Sequence, residues 1–244
     1  MEKTTDIKTF IISSKILKQD RVINAWRPKE FNNQSLPILY LLDGGLNEKF
    51  NEIKDLLEHL IKQNTIKPIQ LIGIENIGRN YDFTQTTTVR KDRKWVPKYG
   101  NAPRFKRFII EELIPTIDTK FNTNQENSIV GESLGGLFVM DLMYHHLEHF
   151  QGFISIDPSL WWNNHQLFEE FLNSFDIRKL ESKKIWISAS KTQSISIYTD
   201  QFIKKIEQHT NSNLTVHYHK DSNQTHFTIF KSSVREALNW MFSK

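Results

Sequence analysis

The stretch Ser128-Ile129-Val130-Gly131-Glu132-Ser133-Leu134-Gly135-Gly136-Leu137-Phe138 decides how the rest of the chain is read. Ser128 to Val130 suits a short buried strand, and Leu137, Phe138, Met140 and Leu142 supply an apolar helix after it. Between them stands Gly131-x-Ser133-x-Gly135, the spacing of a nucleophile elbow. A serine hydroxyl attacks poorly unless a base takes its proton and donors receive the oxyanion. A sharp strand-to-helix turn meets both needs. It holds the Ser133 Oγ clear of the sheet and aims the N–H of Leu134 at the developing charge. The same turn crowds the backbone, so side chains at Gly131 and Gly135 are expected to collide. A structural turn serine is the competing reading, and the flanking strand and helix favour the nucleophile.

Working outward from the elbow, the pattern is one of alternation. Upstream, Lys8 to Ser13 and Arg21 to Trp26 carry β-type residues around a polar turn and read as an antiparallel hairpin. Ile38 to Leu42 and Ile69 to Ile74 are unbroken apolar runs, as strands covered on both faces require. Phe50, Ile53, Leu56, Leu57 and Leu60 recur at helical spacing between them. Residues Glu75 to Gly100 show no clear period. A helix resumes at Pro103, with Pro115 expected to kink it near its end. Downstream lie strands Gly152 to Ile156, Ile185 to Ala189 and Thr215 to Tyr218. Helices are expected over Leu167 to Phe175, Tyr198 to Gln208 and Ile229 to Phe242. Alternating strands and helices from Ile38 onward predict a mostly parallel central sheet with helices on both faces, preceded by the hairpin. No repeat or linker divides the chain, so residues 1–244 are expected to form one domain.

Composition excludes several classes of function. Among 244 residues there is no cysteine, which removes disulfides, thiolate metal sites and cysteine nucleophiles. No run approaches the roughly 18 apolar residues of a membrane span. Met1 to Asp6 has no signal-peptide core, so a cytoplasmic location is expected. A net charge of +4 with dispersed lysines shows no nucleic-acid footprint. The expected partner is a small molecule, with no nucleic acid and no membrane.

In a parallel sheet, active groups sit beyond the C-terminal ends of the strands. His226 lies between the last strand and the last helix, the position required of a base for Ser133. His217 and His219 sit within or beside that strand, facing solvent or core. His145 and His149 stand four apart and could share a metal, but no recognisable carboxylate set accompanies them, so no metal is expected. Three solutions are open for the acid that orients His226. Asp157 directly follows a strand at the catalytic edge, although its place before Pro158 also suits a turn cap. Asp200, placed in a first helical turn, and Asp221 are the second solution, and a Ser–His dyad is the third. For the oxyanion, Leu134 N–H is one donor and Gly45, after the strand Ile38 to Leu42, is the expected other.

Five blocks carry a family resemblance. They are Leu41-Leu42-Asp43-Gly44, Arg79-Asn80-Tyr81-Asp82-Phe83-Thr84, Glu112-Leu113-Ile114-Pro115, Gly131-Glu132-Ser133-Leu134-Gly135-Gly136 and Pro158-Ser159-Leu160-Trp161-Trp162. In this order, over roughly residues 8 to 243, the chain resembles the esterase family of the α/β-hydrolase superfamily. That family includes ferric-siderophore esterases of the enterobactin and salmochelin type, with esterase D and feruloyl esterases as more distant relatives. The resemblance implies an α/β-hydrolase fold and a carboxylic-ester hydrolase without metal or organic cofactor, Ser133 and His226 serving as nucleophile and base. Two departures stand out. Relatives usually carry a small residue at the position of Asp157, and often an acidic one within Ser190 to Ser194. A triad acid that has migrated would leave this pattern.

A pocket lined by Trp161, Trp162 and Tyr81, with Arg79 nearby, would suit an aromatic or apolar ester, including a siderophore-like one. The two tryptophans could equally pack their loop onto the sheet. The basic run Arg90-Lys91-Asp92-Arg93-Lys94, with Lys98, would attract an anionic substrate or form a solvated loop. Two alternatives are an acyltransferase using the same serine and an inactive hydrolase-fold binding protein, the latter supported by the acid-free loop after Ala189.

Overall fold

An eight-stranded sheet frames the computed structural model, which describes residues 7–208 and 214–244. The reading of Met1 to Asp6 lies outside the described residues. Strands β1 (Ile7–Ser14) and β2 (Gln19–Trp26) form the antiparallel hairpin. β2 pairs antiparallel with β4 (Gln70–Ile74). β4 and β3 (Leu36–Leu41) are parallel, and so are β5 (Thr123–Glu132), β6 (Gly152–Ile156), β7 (Lys184–Ser190) and β8 (Thr215–Asp221). Across the sheet the order is β1-β2-β4-β3-β5-β6-β7-β8.

The apolar runs are buried because the strand period of two sends alternate residues into two separate cores. Leu39, Leu41, Leu71, Val130, Ile154 and Trp186 face helices α1 (Phe50–Lys62) and, at the chain's end, Ile229–Phe242. Ile38, Tyr40, Ile72, Ile129, Phe153 and Ile185 face the other way, into the core that holds the helix Leu134–His145. That helix is buried from Leu134 to Met143, which explains its lack of a polar face.

Departures from expectation occur where local pattern is weak. The aperiodic segment before Gly100 contains two helices too short to display a period, α2 (Arg79–Phe83) and α3 (Arg90–Trp95). The next helix is interrupted ahead of Pro115. α4 (Ala102–Arg107) passes through a widened π turn, Phe108–Leu113, into α5 (Ile114–Lys120). Pro115 offers no N–H to the preceding turn, so the ladder loosens upstream of it. After α6 (Leu134–His145) comes α7 (Trp162–Ser174), which begins five residues before Leu167. Asn163, Asn164 and His165, at φ 50°, 53° and 64°, separate its first residue from the regular helix. α8 (Gln193–Glu207) begins ahead of Tyr198, so Asp200 lies within the helix rather than in its first turn. The closing helix, α9 (Ile229–Phe242), has the expected bounds.

Candidate active site

Three residues beyond the C-terminal ends of β3, β5 and β6 have left-handed φ: Asp43 (56°), Ser133 (59°) and Asp157 (46°). Non-glycine residues held there cost about 1–3 kcal/mol each, and such strain gathers at functional sites. At Ser133 the chain turns from β5 into α6 with ψ −117°. Its N–H donates to Ile156 O at 2.9 Å, and its carbonyl accepts from Ser159 N–H at 3.0 Å. Of the two glycines expected to prevent collisions, only Gly131 does so, since a Cβ there would lie 2.4 Å from Gly135 O. A Cβ on Gly135 would meet nothing nearer than Phe83 at 3.6 Å, an ordinary contact. The second tight position is Gly136, where a Cβ would come within 3.0 Å of Ile156 O and 3.1 Å of Pro158 Cα.

The half-buried Ser133 Oγ lies 2.9 Å from His226 Nε2, and His226 Nδ1 lies 2.7 Å from Asp157 Oδ2. Asp157 is fully buried and doubly held, its carboxylate accepting Ser190 N–H at 2.8 Å and Ser190 Oγ–H at 2.9 Å. The last residue of β7 therefore supplies both donors to an acid that stands on the loop after β6. His226 is steadied by its own N–H, which donates to Thr192 Oγ1 at 3.2 Å. The other candidate acids are engaged elsewhere. Asp200 accepts from Tyr218 Oη and Lys220 Nζ, both at 2.6 Å, and Asp221 caps the turn at Asn223 N–H, 2.9 Å away. His217 and His219 stack on Trp186.

Two neighbours of this chain of contacts escaped the sequence reading. Ser159 Oγ sits 3.2 Å from Ser133 Oγ and is buried. Its signal in the sequence is its place in the block Pro158 to Trp162, directly after the turn that carries Asp157. Phe227 adjoins His226 and is 92 % exposed, and an apolar side chain next to a candidate base was a readable cue.

The proposed oxyanion donors differ in availability. Leu134 opens α6, and the N–H groups of a first helical turn lack intrahelical acceptors. Gly45 N–H, by contrast, donates to Glu48 Oε2 at 2.6 Å, and Gly44 N–H to Ile74 O at 2.9 Å. In this conformation Gly45 is not a free donor, because the acidic side chain three residues on folds back onto it.

Arg79 is likewise committed. It donates to Asp43 Oδ1 from Nε at 2.6 Å, to Asp43 Oδ2 from Nη2 at 3.0 Å, and to Glu132 O at 3.1 Å. Lys49 Nζ pairs with Glu132 Oε2 at 2.7 Å. The expected substrate contact is thus a brace between β3 and the elbow backbone. Burial alone would raise the Asp43 pKa, but Arg79, Lys49 and the Asn76 amide together hold it below the ordinary carboxylate range. A depressed folded-state pKa contributes stability that is present above the unfolded value, about 3.9, and is lost as pH falls through the folded one. Denaturant titrations should therefore show stability dropping below about pH 4. Asp43→Asn should be less stable at pH 7 and show a shallower acid slope. An unchanged slope would exclude Asp43 as its source.

Of the expected aromatic walls, Tyr81 is 41 % exposed, Trp161 is half-buried and Trp162 is 3 % exposed. The Trp162 indole N–H donates to Gln85 O at 3.1 Å, so this ring packs its loop. The basic run forms α3 with Asp92 turned inward to accept Asn163 N–H at 2.7 Å. The pair His145 and His149 is split, His145 Nδ1 bonding to Asp141. Among the described residues, His146, Glu148 and His149 bring ligand atoms within 4.8 Å of one another, so a carboxylate does accompany these histidines, at the far end of α6 from Ser133. No helix among the described residues is long and apolar enough to cross a membrane.

The profile of the family described as Putative esterase matches residues 14–242. Ferri-bacillibactin esterase BesA of Bacillus subtilis is 31% identical over 144 residues, 52% of this chain and 49% of that protein. The siderophore triacetylfusarinine C esterase of Aspergillus fumigatus is 25% identical over 146 residues, 57% of this chain and 49% of its own length. The chain thus matches about half the length of these curated relatives. The crystal structure of the BES protein from Bacillus cereus superposes with a TM-score of 0.85 at 22% identity, covering 100% of this chain and 97% of that one. That likeness shows the fold, which is the α/β-hydrolase fold. With the family profile spanning nearly its whole length, this chain belongs to the Putative esterase family.

Proposed function

We propose that the chain is a serine carboxylic-ester hydrolase working through an acyl-enzyme on Ser133. The observation that carries this reading is the unbroken line from Ser133 Oγ through the His226 imidazole to the buried Asp157 carboxylate. Ser133 Oγ attacks the ester carbonyl carbon as its proton passes to His226 Nε2, and Leu134 N–H receives the oxyanion. The tetrahedral adduct collapses when His226 returns that proton to the departing alcohol. Water, deprotonated by His226, then attacks the acyl-enzyme, and the proton restores Ser133 as the acid leaves. Asp157 keeps the Nδ1 proton in place and stabilises the imidazolium. The alternative of an inert binding protein rested on the acid-free loop after Ala189, and the contact of Asp157 with His226 at 2.7 Å favours the hydrolase over it.

Ser159 enters the mechanism as a donor. With the Ser133 proton directed at His226, the contact between the two hydroxyls is a donation from Ser159 Oγ–H. This bond supports the serine oxygen when it becomes the leaving group of deacylation. Ser159→Ala should lower kcat by roughly tenfold, the worth of one hydrogen bond made to developing charge. KM should change little, and pre-steady-state bursts should become more pronounced. A variant with unaltered kcat and burst would exclude the role.

For substrate, the reading is an ester of a siderophore or a related aromatic acid. The Bacillus subtilis relative is an esterase of ferri-bacillibactin and the Aspergillus relative one of triacetylfusarinine C, both iron-carrier esters. The exposed rings of Tyr81 and Phe227 and the outward cations of α3 would suit a bulky, ring-bearing anion. A panel of tri-catecholate, hydroxamate-siderophore, feruloyl and acetyl esters tests this. The kcat/KM for an iron-carrier ester should exceed that for the acetyl ester, and the reverse order would overturn the assignment.

A further inference from the structure

The far end of α6 carries a second carboxylate–imidazole pair that the ester mechanism leaves unused. His145 Nδ1 donates to Asp141 Oδ1 at 2.6 Å, and Asp141 is 3 % exposed. Lys106 Nζ, itself buried, donates to Oδ1 at 2.7 Å, and Gln85 Nε2 donates to Oδ2 at 2.6 Å. Burial alone would raise the Asp141 pKa. The bond from His145 and the charge of Lys106 outweigh it and hold the carboxyl ionised, below its ordinary range. With Nδ1–H committed to Asp141, the neutral ring carries its lone pair on Nε2. Ser133 and His145 lie at opposite ends of α6, about 18 Å apart along the helix axis, so this pair stands apart from the line Ser133–His226–Asp157.

His145 lines a cavity of about 210 Å³ between α6, Gln85 and Thr86, and the start of α7. Phe83, Leu137, Trp162 and Leu167 form its apolar walls. Its indole donor is spent and its amide donors are half spent. Trp162 gives its indole N–H to Gln85 O, while Gln85 and Asn163 each give one amide proton, to Asp141 and Gln166, and keep the other. Acceptors remain, namely His145 Nε2 and the second carboxylate oxygen of Glu170, whose first takes Gln166 Nε2–H. Apolar walls with leftover acceptors select a ligand that is flat and apolar but brings a hydroxyl. Glu170 and Asp141 disfavour an anion.

We propose that this cavity is a second binding site, taking one small neutral hydroxylated aromatic molecule whose ring packs on Trp162 and whose hydroxyl donates to His145 Nε2. It does not depend on the role of Ser133, and its test does not require turnover. Phenol titrated into the intact chain should shift the His145 imidazole and Trp162 indole NMR signals together, with a Kd on the order of 1 mM for so small a ligand. Benzene, lacking the hydroxyl, should leave the His145 signal unmoved. His145→Phe should weaken phenol binding roughly tenfold, as loss of one hydrogen bond predicts. Gln166→Trp, filling the cavity from an exposed position, should abolish it. Neither variant should alter hydrolysis of a p-nitrophenyl ester. Phenol binding unchanged in both variants would overturn the proposal. So would shifts confined to His226, or tighter binding by benzylamine than by phenol.

Discussion

Ser133→Ala is expected to lower hydrolysis of a short p-nitrophenyl ester by at least about 10⁴-fold, with the fold intact. On the proposed mechanism the loss is large because the hydroxyl, 2.9 Å from His226 Nε2, is both the bond-forming atom and the proton donor. Alanine cannot form the acyl-enzyme, and water placed there has no elbow to hold it. The thermal unfolding midpoint should stay within a few degrees, since one half-buried hydroxyl is removed from a turn whose backbone bonds to Ile156 and Ser159 persist. A fluorophosphonate should label the wild type once, on the peptide bearing Ser133, and leave the variant unlabelled. Equal activity in variant and wild type, or a label on another serine, would sink the nucleophile assignment.

Asp157→Asn is the second large effect, expected at about 10³- to 10⁴-fold in kcat with a small change in KM. Ser190 N–H fixes the outcome by requiring an acceptor at the Oδ1 position. An asparagine placed there keeps its oxygen toward Ser190 and turns its NH₂ toward His226 Nδ1 and Ser190 Oγ. Nδ1 must then accept, which moves the ring proton to Nε2, where it faces Ser133 Oγ and blocks proton removal. The imidazole would remain in place as the wrong tautomer. Nitrogen-15 shifts of His226 distinguish that state from a general loss of structure. An Asp157→Asn enzyme with wild-type kcat would show that His226 works without this acid, and the dyad reading would replace the triad.

The expectations that came from short stretches and those that came from partner choice fared differently. The elbow turn is written locally, because a Cβ at position 131 would lie 2.4 Å from the Gly135 carbonyl oxygen and the flanking residues favour strand and helix. The placement of His226 followed from chain order alone, since the loop after the last parallel strand emerges at the same edge as Ser133. Asp157 was one of several candidate acids, all plausible until β6 and β8 were set in order across the sheet. Arg79 and Gly45 looked available in sequence because the groups that occupy them, Asp43 and Glu48, have obvious local roles in a turn and a helix start. Trp162 could not be sorted from Trp161 by pattern, because three consecutive left-handed residues after it reset the direction of the chain.

By itself, then, the amino-acid order determined the alternation of strands and helices, the sharp turn at Ser133 and the edge on which His226 emerges. Each follows from steric and solvation preferences acting over a few residues. Only the tertiary structure decided that Asp157 meets His226 while Asp200 meets Tyr218 and Lys220, that Glu48 covers Gly45, and that Ser159 touches the nucleophile. Those pairings join residues brought together by packing between strands and loops, and hydrogen bonds between side chains form only after the backbone has fixed the distances.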